Sequence, residues 1–240
     1  MFDFTGQVVV VSGAAVNLGS AVARAFLRCG ARLALPDRKP GRLAEAIPEL
    51  AASDQHYLAD SVDLTDEAAV QAFVTETVRR FGRIDILANI AGGFTPGKPV
   101  HQTSLADWDA MYDRNLKTAL VLSRAVIPVM LERGQGKIIL VSSSAALKAR
   151  AKMAAYSASK SALLRLTESM SAELKESGIN VNCVLPGTID TPDNRRAMPN
   201  ANTSRWVPPE ALADVILFLS SPAARAVHGA ALPVYGLSGE

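Results

Sequence analysis

The chain has 240 residues, of which 49% are hydrophobic and 20% are charged, a balance typical of a globular protein with ample material for a core. Its formal net charge is +2 and no apolar run reaches ~18 residues, so we expect neither a nucleic-acid surface nor a membrane span. Cys29 and Cys183 are too few for a disulfide framework and are interpreted as small buried hydrophobic residues.

Residues 1–4 lack the basic segment that begins a signal peptide, which favours a cytoplasmic protein. From there strand and helix patterns alternate along the chain. The apolar runs do not alternate with polar residues, so they predict strands buried on both faces of a sheet. The predicted strands are residues 7–12, 32–35, 56–59, 84–88, 137–142, 180–185 and 231–234. The predicted helices are residues 18–29, 42–50, 66–81, 104–133, 154–176 and 209–219.

This alternation predicts an α/β fold: a Rossmann-like, doubly wound parallel sheet of about seven strands with helices on both faces. Thr65 is the predicted N-cap of its helix, and Pro128 is expected to bend the helix that contains it. The sequence has no internal repeat or long linker, which predicts one domain over residues 1–240. Its irregular stretch, 186–206, predicts a short substrate loop at about 188–206.

The turn after the first predicted strand is rich in glycine and leads into a helix. Gly13 and Gly19 allow a tight backbone turn close to a pyrophosphate, which the free N–H groups at the helix start near Leu18 would bind. Asn17 stands where a further glycine is expected, and Asn is the non-glycine residue that best tolerates positive φ. The turn predicts a dinucleotide site, with an ordinary strand–helix turn as the alternative.

Asp37 closes the second predicted strand. A carboxylate there accepts hydrogen bonds from the adenosine ribose and repels a 2′-phosphate, which favours NAD(H). Arg38 follows and is able to bind a phosphate, so NADP(H) stays open. The simpler interpretation is that Asp37 only begins the next turn.

Tyr156 and Lys160 are spaced by four residues in a helical pattern, so they share one helix face. A phenol has an ordinary pKa of ~10 and is a weak acid–base group near neutral pH, but a nearby ammonium stabilises the phenolate. The pair alone is common on protein surfaces.

The complete set of motifs is more specific. In chain order it comprises the glycine turn, Asp63, residues 89–92, Asn115, the serines at 142–144, Tyr156 with Lys160, and Pro186 with Gly187. This order closely resembles the short-chain dehydrogenase/reductase family. The resemblance implies that Tyr156 is the general acid of reduction and the base of oxidation, and that Lys160 binds the nicotinamide ribose and lowers the tyrosine pKa.

The resemblance also implies that Ser143 binds the substrate oxygen, with Ser142 and Ser144 as competitors, and that Asn115 holds a water of a proton relay. It implies a set of further cofactor contacts, around the adenine, along the channel wall and at the carboxamide. These are Asp63, Leu64, Asn89, Ala91, Gly92, Pro186, Gly187, Ile189 and Thr191. Asn89 also has a purely structural interpretation, in which it only satisfies backbone groups between strands.

The chain departs from the family at Asn17, at its C-terminal residues 234–240, and in the short segment from Pro192 to Trp206, which predicts an open site or one closed by a neighbouring subunit. Part of that segment is similar to dihydropteridine reductases, which use NADH. The residues concerned are Asp190, Thr191, Pro192, Asn194, Arg195, Met198, Pro199, Ser204 and Trp206. Trp206 is equally interpreted as a packing anchor.

We therefore predict an oxidoreductase that moves hydride between NAD(H) and a carbonyl or alcohol, such as a ketone or 3-oxoacyl group. The alternatives are an NADH-dependent dihydropteridine-type reductase and a non-catalytic, dinucleotide-binding redox sensor. The three histidines lack metal-ligand spacing, so no metal is expected. The resemblance implies a homo-oligomer, a tetramer or a dimer, in which the two long helices pair into a four-helix bundle.

Overall fold

The computed structural model describes residues 2–51 and 53–238, and a seven-stranded parallel sheet forms its centre. The strand order is β3-β2-β1-β4-β5-β6-β7, so the chain winds outward in both directions from β1 and β4. The strands are β1 (Val8–Ser12), β2 (Arg32–Pro36), β3 (Tyr57–Ala59), β4 (Ile86–Asn89), β5 (Gly136–Val141), β6 (Ile179–Pro186) and β7 (Ala231–Val234). The predicted fold class is confirmed.

The α-helices pack on both faces of this sheet. They are α1 (Asn17–Arg28), α2 (Arg42–Ala46), α3 (Pro48–Ala51), α4 (Glu67–Phe81), α5 (Leu105–Tyr112), α6 (Thr118–Arg133), α7 (Ala154–Leu174), α8 (Pro192–Ala197) and α9 (Pro209–Ser220). Val9 and Val11 of β1 belong to an apolar cluster with residues of α1 and α9. Val10, between them, belongs to a second cluster with residues of α4, α6 and α7. The continuous valine run is therefore buried because each face of the strand meets its own helices.

Two predicted helices are interrupted. The helix predicted over 42–50 is two short helices, because Pro48 has no N–H to donate and instead begins α3. The helix predicted over 104–133 consists of α5 and α6 joined by a π-helical turn, Asp113–Lys117. Pro128 lies inside α6, as the sequence indicates.

Smaller differences concern helix ends. The predicted cap Thr65 is wrong: Asp66 is the N-cap of α4 and accepts from the backbone N–H groups of Ala68 and Ala69. The helix predicted to reach residue 176 ends at Leu174 and continues as a 3₁₀ turn. The stretch 186–206, predicted to be irregular, contains α8.

Trp206 is 8% exposed, which supports its interpretation as a packing anchor. Of the helices in residues 2–51 and 53–238, none is both long and apolar enough to cross a bilayer.

Candidate active site

The polar residues singled out in the sequence gather at one edge of the sheet. Ser12 and Asn89 end the neighbouring strands β1 and β4, Ser142 follows β5, and Pro186 ends β6. Parallel strands present their carboxyl ends at the same edge, and β1 and β4 flank the point where the winding direction reverses. This edge is where a doubly wound sheet binds its ligands.

The glycine turn is folded tightly against the loop after β4. Gly13 has φ +68°, and a Cβ atom there would lie 3.0 Å from the backbone nitrogen of Ala91. At Gly19 a Cβ atom would lie 2.0 Å from the carbonyl oxygen of Gly13, so α1 begins in direct contact with the turn. Asn17 has φ +29°, the positive value that the missing glycine would otherwise supply.

The start of α1 is suited to an anion. Val16, its N-cap, makes no side-chain cap, and the first turn contains no acidic residue. The backbone N–H groups and the positive end of the helix dipole thus face no carboxylate from the helix itself.

Ser12 joins the ends of the two central strands. Its hydroxyl donates to Oδ1 of Asn89 at 2.6 Å and accepts from the N–H of Ala91 at 3.0 Å. Asn89 is 2% exposed, and the bond of its amide is to a side-chain hydroxyl. Ala91 and Gly92 are the residues that this contact positions.

Two carboxylates lie after β2 and β3. Oδ1 of Asp37 accepts from the N–H of Lys39 at 2.8 Å, and Oδ2 lies 3.8 Å from Nη1 of Arg42. Oδ1 of Asp63 accepts from Thr65, and Oδ2 lies 3.9 Å from Nη1 of the exposed Arg38. Asp37 therefore does begin a turn, and it retains one oxygen that faces a cation.

Lys160 lies on α7, one turn beyond Tyr156, and its side chain is buried. Its Nζ donates to the carbonyl of Val141 at 2.8 Å, which is its one hydrogen bond to the described residues. Two of the three N–H donors remain for a ligand. Desolvation lowers the pKa of Lys160 to about 8.

Asn115 lies in the π-helical turn and is fully buried. Its Oδ1 accepts from the N–H of Gly93 at 2.9 Å, and its Nδ2 donates to Oγ of Ser159 at 3.1 Å. A Cβ atom on Gly92 would lie 2.9 Å from Oδ1 of Asn115 and 3.2 Å from Nζ of Lys160. Asn115, Lys160 and the loop after β4 therefore converge at one point, where only a glycine fits.

The three consecutive serines have different surroundings. The hydroxyl of Ser142 donates to the carbonyl of Lys160 at 2.8 Å and holds α7 against β5. Oγ of Ser143 accepts from the N–H of Ala145 at 3.2 Å and interacts with Tyr156. Burial raises the pKa of Tyr156, and this interaction with Ser143 partly lowers it. Ser144 begins a 3₁₀ turn.

Backbone and capping contacts hold the segment that follows β6. Gly187 donates its N–H to the carbonyl of Val234, and Ile189 pairs with Val207. The hydroxyl of Thr191 caps α8 by accepting from the N–H of Asn194. Nδ2 of Asn17 lies 3.4 Å from Oδ2 of Asp193 in α8, a link between the glycine turn and the substrate loop that the sequence did not indicate.

Sequence reasoning also missed Phe94 and Ser159. The ring of Phe94 meets that of Tyr156 edge-on, with centroids 5.1 Å apart. Oγ of Ser159 donates to the carbonyl of Tyr156 at 2.8 Å and accepts from Asn115. No spacing rule marks either residue, because each acts through a contact between distant segments. Within the described residues, no three His, Cys, Asp or Glu side chains are grouped as metal ligands.

Comparison with known proteins identifies the family. The family model described as short chain dehydrogenase matches residues 7–202. The chain therefore belongs to the short-chain dehydrogenase family.

Its relatives are named as dehydrogenases of several alcohols. It is 37% identical to 2,3-dihydro-2,3-dihydroxybenzoate dehydrogenase of Bacillus subtilis over 78% of this chain and 71% of the relative. It is 33% identical to D-threitol dehydrogenase of Mycolicibacterium smegmatis over 98% and 94%. Among solved structures, a 7 alpha-hydroxysteroid dehydrogenase complexed with NADH and 7-oxo glycochenodeoxycholic acid superposes with a TM-score of 0.87 at 30% identity, over 99% of this chain and 95% of that one. The fold, the family and the oxidoreductase class are thus established together.

Proposed function

We propose that the protein is an NAD(H)-dependent oxidoreductase that interconverts an alcohol and a carbonyl, with Tyr156 as its acid–base group. The observation that carries the proposal is the convergence of Asn115 and Lys160 beside Gly92 at the carboxyl edge of the sheet, with Tyr156 one turn before Lys160 on α7 and hydrogen-bonded to Ser143. Homologues named as dehydrogenases of alcohols support the same reaction.

The chain's own residues fit a nicotinamide dinucleotide. The turn at Gly13, Asn17, Leu18 and Gly19 would hold the pyrophosphate at the start of α1. The two remaining donors of Lys160 would bind ribose hydroxyls. When bound, the dinucleotide supplies or accepts the hydride.

Other residues would surround the two ends of the cofactor. Asp37 would bind the adenosine ribose, which favours NAD(H), while Arg38 and Arg42 keep NADP(H) open. The remaining contacts would lie around the adenine, along the channel wall and beside the carboxamide. They are Asp63, Leu64, Asn89, Ala91, Gly92, Pro186, Gly187, Ile189 and Thr191.

In carbonyl reduction, Ser143 would hold the substrate oxygen and Tyr156 would give it a proton. In alcohol oxidation, the Tyr156 phenolate would take that proton. A charged Lys160 would favour the phenolate and so oppose the burial that raises the pKa of Tyr156. Asn115 is a positioning residue, since its side chain connects Gly93 with the helix that carries Tyr156.

The test is to replace Tyr156 by Phe and to follow reduction of a panel of ketones with NADH. We expect turnover to fall about 10²–10⁴-fold, while a fluorescence titration shows that NADH still binds. Tyr57→Phe is the matched control, because Tyr57 is a phenol on the edge strand β3. Equal turnover by parent and Tyr156→Phe would overturn the mechanism, and binding without turnover in the parent would favour the redox sensor.

The family leaves the substrate open, since the relatives' names include a dihydroxybenzoate derivative and a polyol. The dihydropteridine alternative rests on the sequence of residues 190–206. Quinonoid dihydropterin therefore belongs in the substrate panel, and its reduction in preference to every ketone would favour that alternative.

We also infer a homo-oligomer. Leu120 and Leu131 of α6 are 38% and 44% exposed, and such residues favour burial against another copy of the chain. Sedimentation equilibrium would measure the assembly, with a tetramer expected and a monomer contradicting the inference.

A further inference from the structure

A cavity adjoins Tyr156, and the proposed hydride transfer assigns it no role. The cavity has a volume of about 320 Å³ and lies between residues 95–98, helix α5 and residues 152–156. Tyr156 forms part of its wall, so a molecule that reacts there is able to extend into the cavity. The lining of this cavity therefore selects which substrates reach the phenol.

The cavity is lined by more positive than negative charge. Lys98, Arg114 and Lys152 line it, together with Asp107 as the one acidic residue among the described lining residues. Within residues 2–51 and 53–238, none of the three cations is held in an ion pair. Several arginines elsewhere are paired with carboxylates, as Arg195 is with Asp190. The three cations thus remain available to an anionic ligand.

Arg114 is held in place at the cavity. It precedes Asn115 in the π-helical turn, so the same turn that places Asn115 in the site places Arg114 at the cavity. Its Nη1 donates to Oγ1 of Thr95 at 3.0 Å. Its Cδ packs so closely on Gly93 that a Cβ atom there would lie 3.0 Å away. A guanidinium directed by this bond retains further N–H donors that can bind a carboxylate.

Lys152 reaches the cavity through an unusual backbone conformation. Its φ is +63°, in the left-handed region that costs a non-glycine residue free energy. A Cβ atom on Gly97 would lie 2.5 Å from the Lys152 carbonyl oxygen, so the two segments approach closely at a glycine. The fold therefore maintains a strained lysine at the mouth of the cavity.

We propose that the substrate carries a carboxylate, which Arg114 binds in this cavity with the help of Lys98 and Lys152, while its alcohol or carbonyl carbon lies at Tyr156. This inference rests on the proposed function for the reacting end of the molecule. In the oxidation, a bound oxidised nicotinamide would accept the hydride of the carbinol C–H bond, and the Tyr156 phenolate would accept the O–H proton. The carboxylate end takes no part in bond breaking and serves recognition alone.

The test measures recognition separately from chemistry. Acetate, butyrate, cyclohexanecarboxylate and benzoate, each beside its primary amide, are titrated calorimetrically into the protein saturated with NADH. Because a hydrogen bond to a charged group is the stronger kind, we expect the best acid to bind at least about tenfold more tightly than its amide. Equal binding of acid and amide, or binding of neither in any pair, would overturn the proposal.

Variants assign the preference to the cavity. In Arg114→Gln the ratio of acid to amide affinity is expected to fall to near one, and Lys152→Asn, which suits the left-handed backbone, is expected to reduce it in part. Lys175→Gln is the control: it removes one positive charge from an exposed site at the far end of α7 and should leave the ratio unchanged. A ratio that survives Arg114→Gln contradicts the proposal.

A pair of ketone substrates separates this inference from the proposed function. 4-Oxocyclohexanecarboxylate and its carboxamide are compared as substrates with NADH. If carboxylates bind through Arg114 but no ketone or alcohol is turned over, the proposed function fails and the anion site stands. If the carboxamide is reduced as efficiently as the acid, the anion site fails and the reductase stands.

Discussion

The buried ammonium of Lys160 lowers the stability of the fold and is available to bind a ligand. It is 4% exposed and donates to one carbonyl, that of Val141. A buried ion with so few partners is unfavourable until a ligand binds its other donors. The free energy that this residue costs the folded protein is therefore expected to depend on pH.

Lys160→Met tests that dependence. The pKa of Lys160 is about 8 in the folded chain against 10.5 for an ordinary lysine, so the unfolded chain binds its proton more tightly between these values. The resulting penalty is complete below about pH 8 and is relieved as the pH rises towards 10.5. We expect the parent to gain about 1–3 kcal/mol relative to Lys160→Met between pH 8 and pH 10 in urea unfolding. A difference that does not change with pH would contradict this, and turnover of the variant should be lost.

Ser142 and Ser143 make a matched pair, because adjacent hydroxyls have different partners. Ser143→Ala should lower kcat about 10²–10³-fold, since it removes the proposed donor to the substrate oxygen, and should cost in stability no more than the bond from the N–H of Ala145. Ser142→Ala should destabilise the fold by about 1–2 kcal/mol, since it leaves the Lys160 carbonyl without its bond. Steady-state kinetics and urea unfolding of both variants give the four values. Exchanged effects would show that the substrate is held by Ser142.

At the scale of elements, the glycine turn depends on backbone conformation more than on residue identity. Asn17 has φ +29°. Asn17→Gly should therefore keep NADH binding, whereas Asn17→Val should lower stability by about 1–2 kcal/mol and weaken that binding, because a branched side chain resists positive φ. Unfolding and fluorescence titrations measure the two effects. Equal behaviour of the glycine and valine variants would mean that the turn does not need this conformation.

Some elements follow from the sequence and others do not, for identifiable reasons. The strands were predictable because both of their faces are buried, so each one appears in the sequence as a continuous apolar run. Such a run is recognised without knowing which strand it pairs with. Pro48 marks a helix start, and the prediction of one continuous helix over 42–50 did not use it. Thr65 was a reasonable cap, but its hydroxyl donates to Asp63 instead. The hydrogen bond between Thr65 and Asp63 leaves Asp66 as the cap, and residue spacing alone does not predict that bond.

The π-helical turn could not be predicted locally. Residues 113–117 contain neither glycine nor proline, and their pattern continues that of a helix. The turn coincides with the position where Asn115 reaches both Gly93 and Ser159, contacts that exist only once α7 and the loop after β4 are in place. In the candidate site, motifs therefore marked Tyr156, Lys160 and Ser143, while tertiary packing supplies Phe94, Ser159 and the cavity.

For the whole molecule, the candidate cofactor site joins strands β1, β2, β4, β5 and β6, so a ligand there stabilises most of the sheet at once. We expect NADH at 100 times its Kd to add about 2.7 kcal/mol to the free energy of unfolding, visible as a higher Tm in calorimetry. NADPH should raise Tm less, because in the proposed binding mode Asp37 would repel its 2′-phosphate. Asp37→Ser should narrow the gap between the two cofactors. A larger shift with NADPH in the parent would reverse the assignment.

The valine run of β1 affects how the register of this strand in the sheet is specified. Val8, Val9, Val10 and Val11 are identical side chains, and both faces of the strand are apolar. Sliding the strand by one residue would keep valine at three of the four buried valine positions, so packing separates neighbouring alignments only through the residue at one end of the run. The distinction comes from polar contacts at the two ends, where Asp85 accepts from the N–H of Val8 and Ser12 donates to Asn89. The side chains of Ser12 and Asn89, which shape the ligand-binding edge of the sheet, thus also help to fix the register of its central strand.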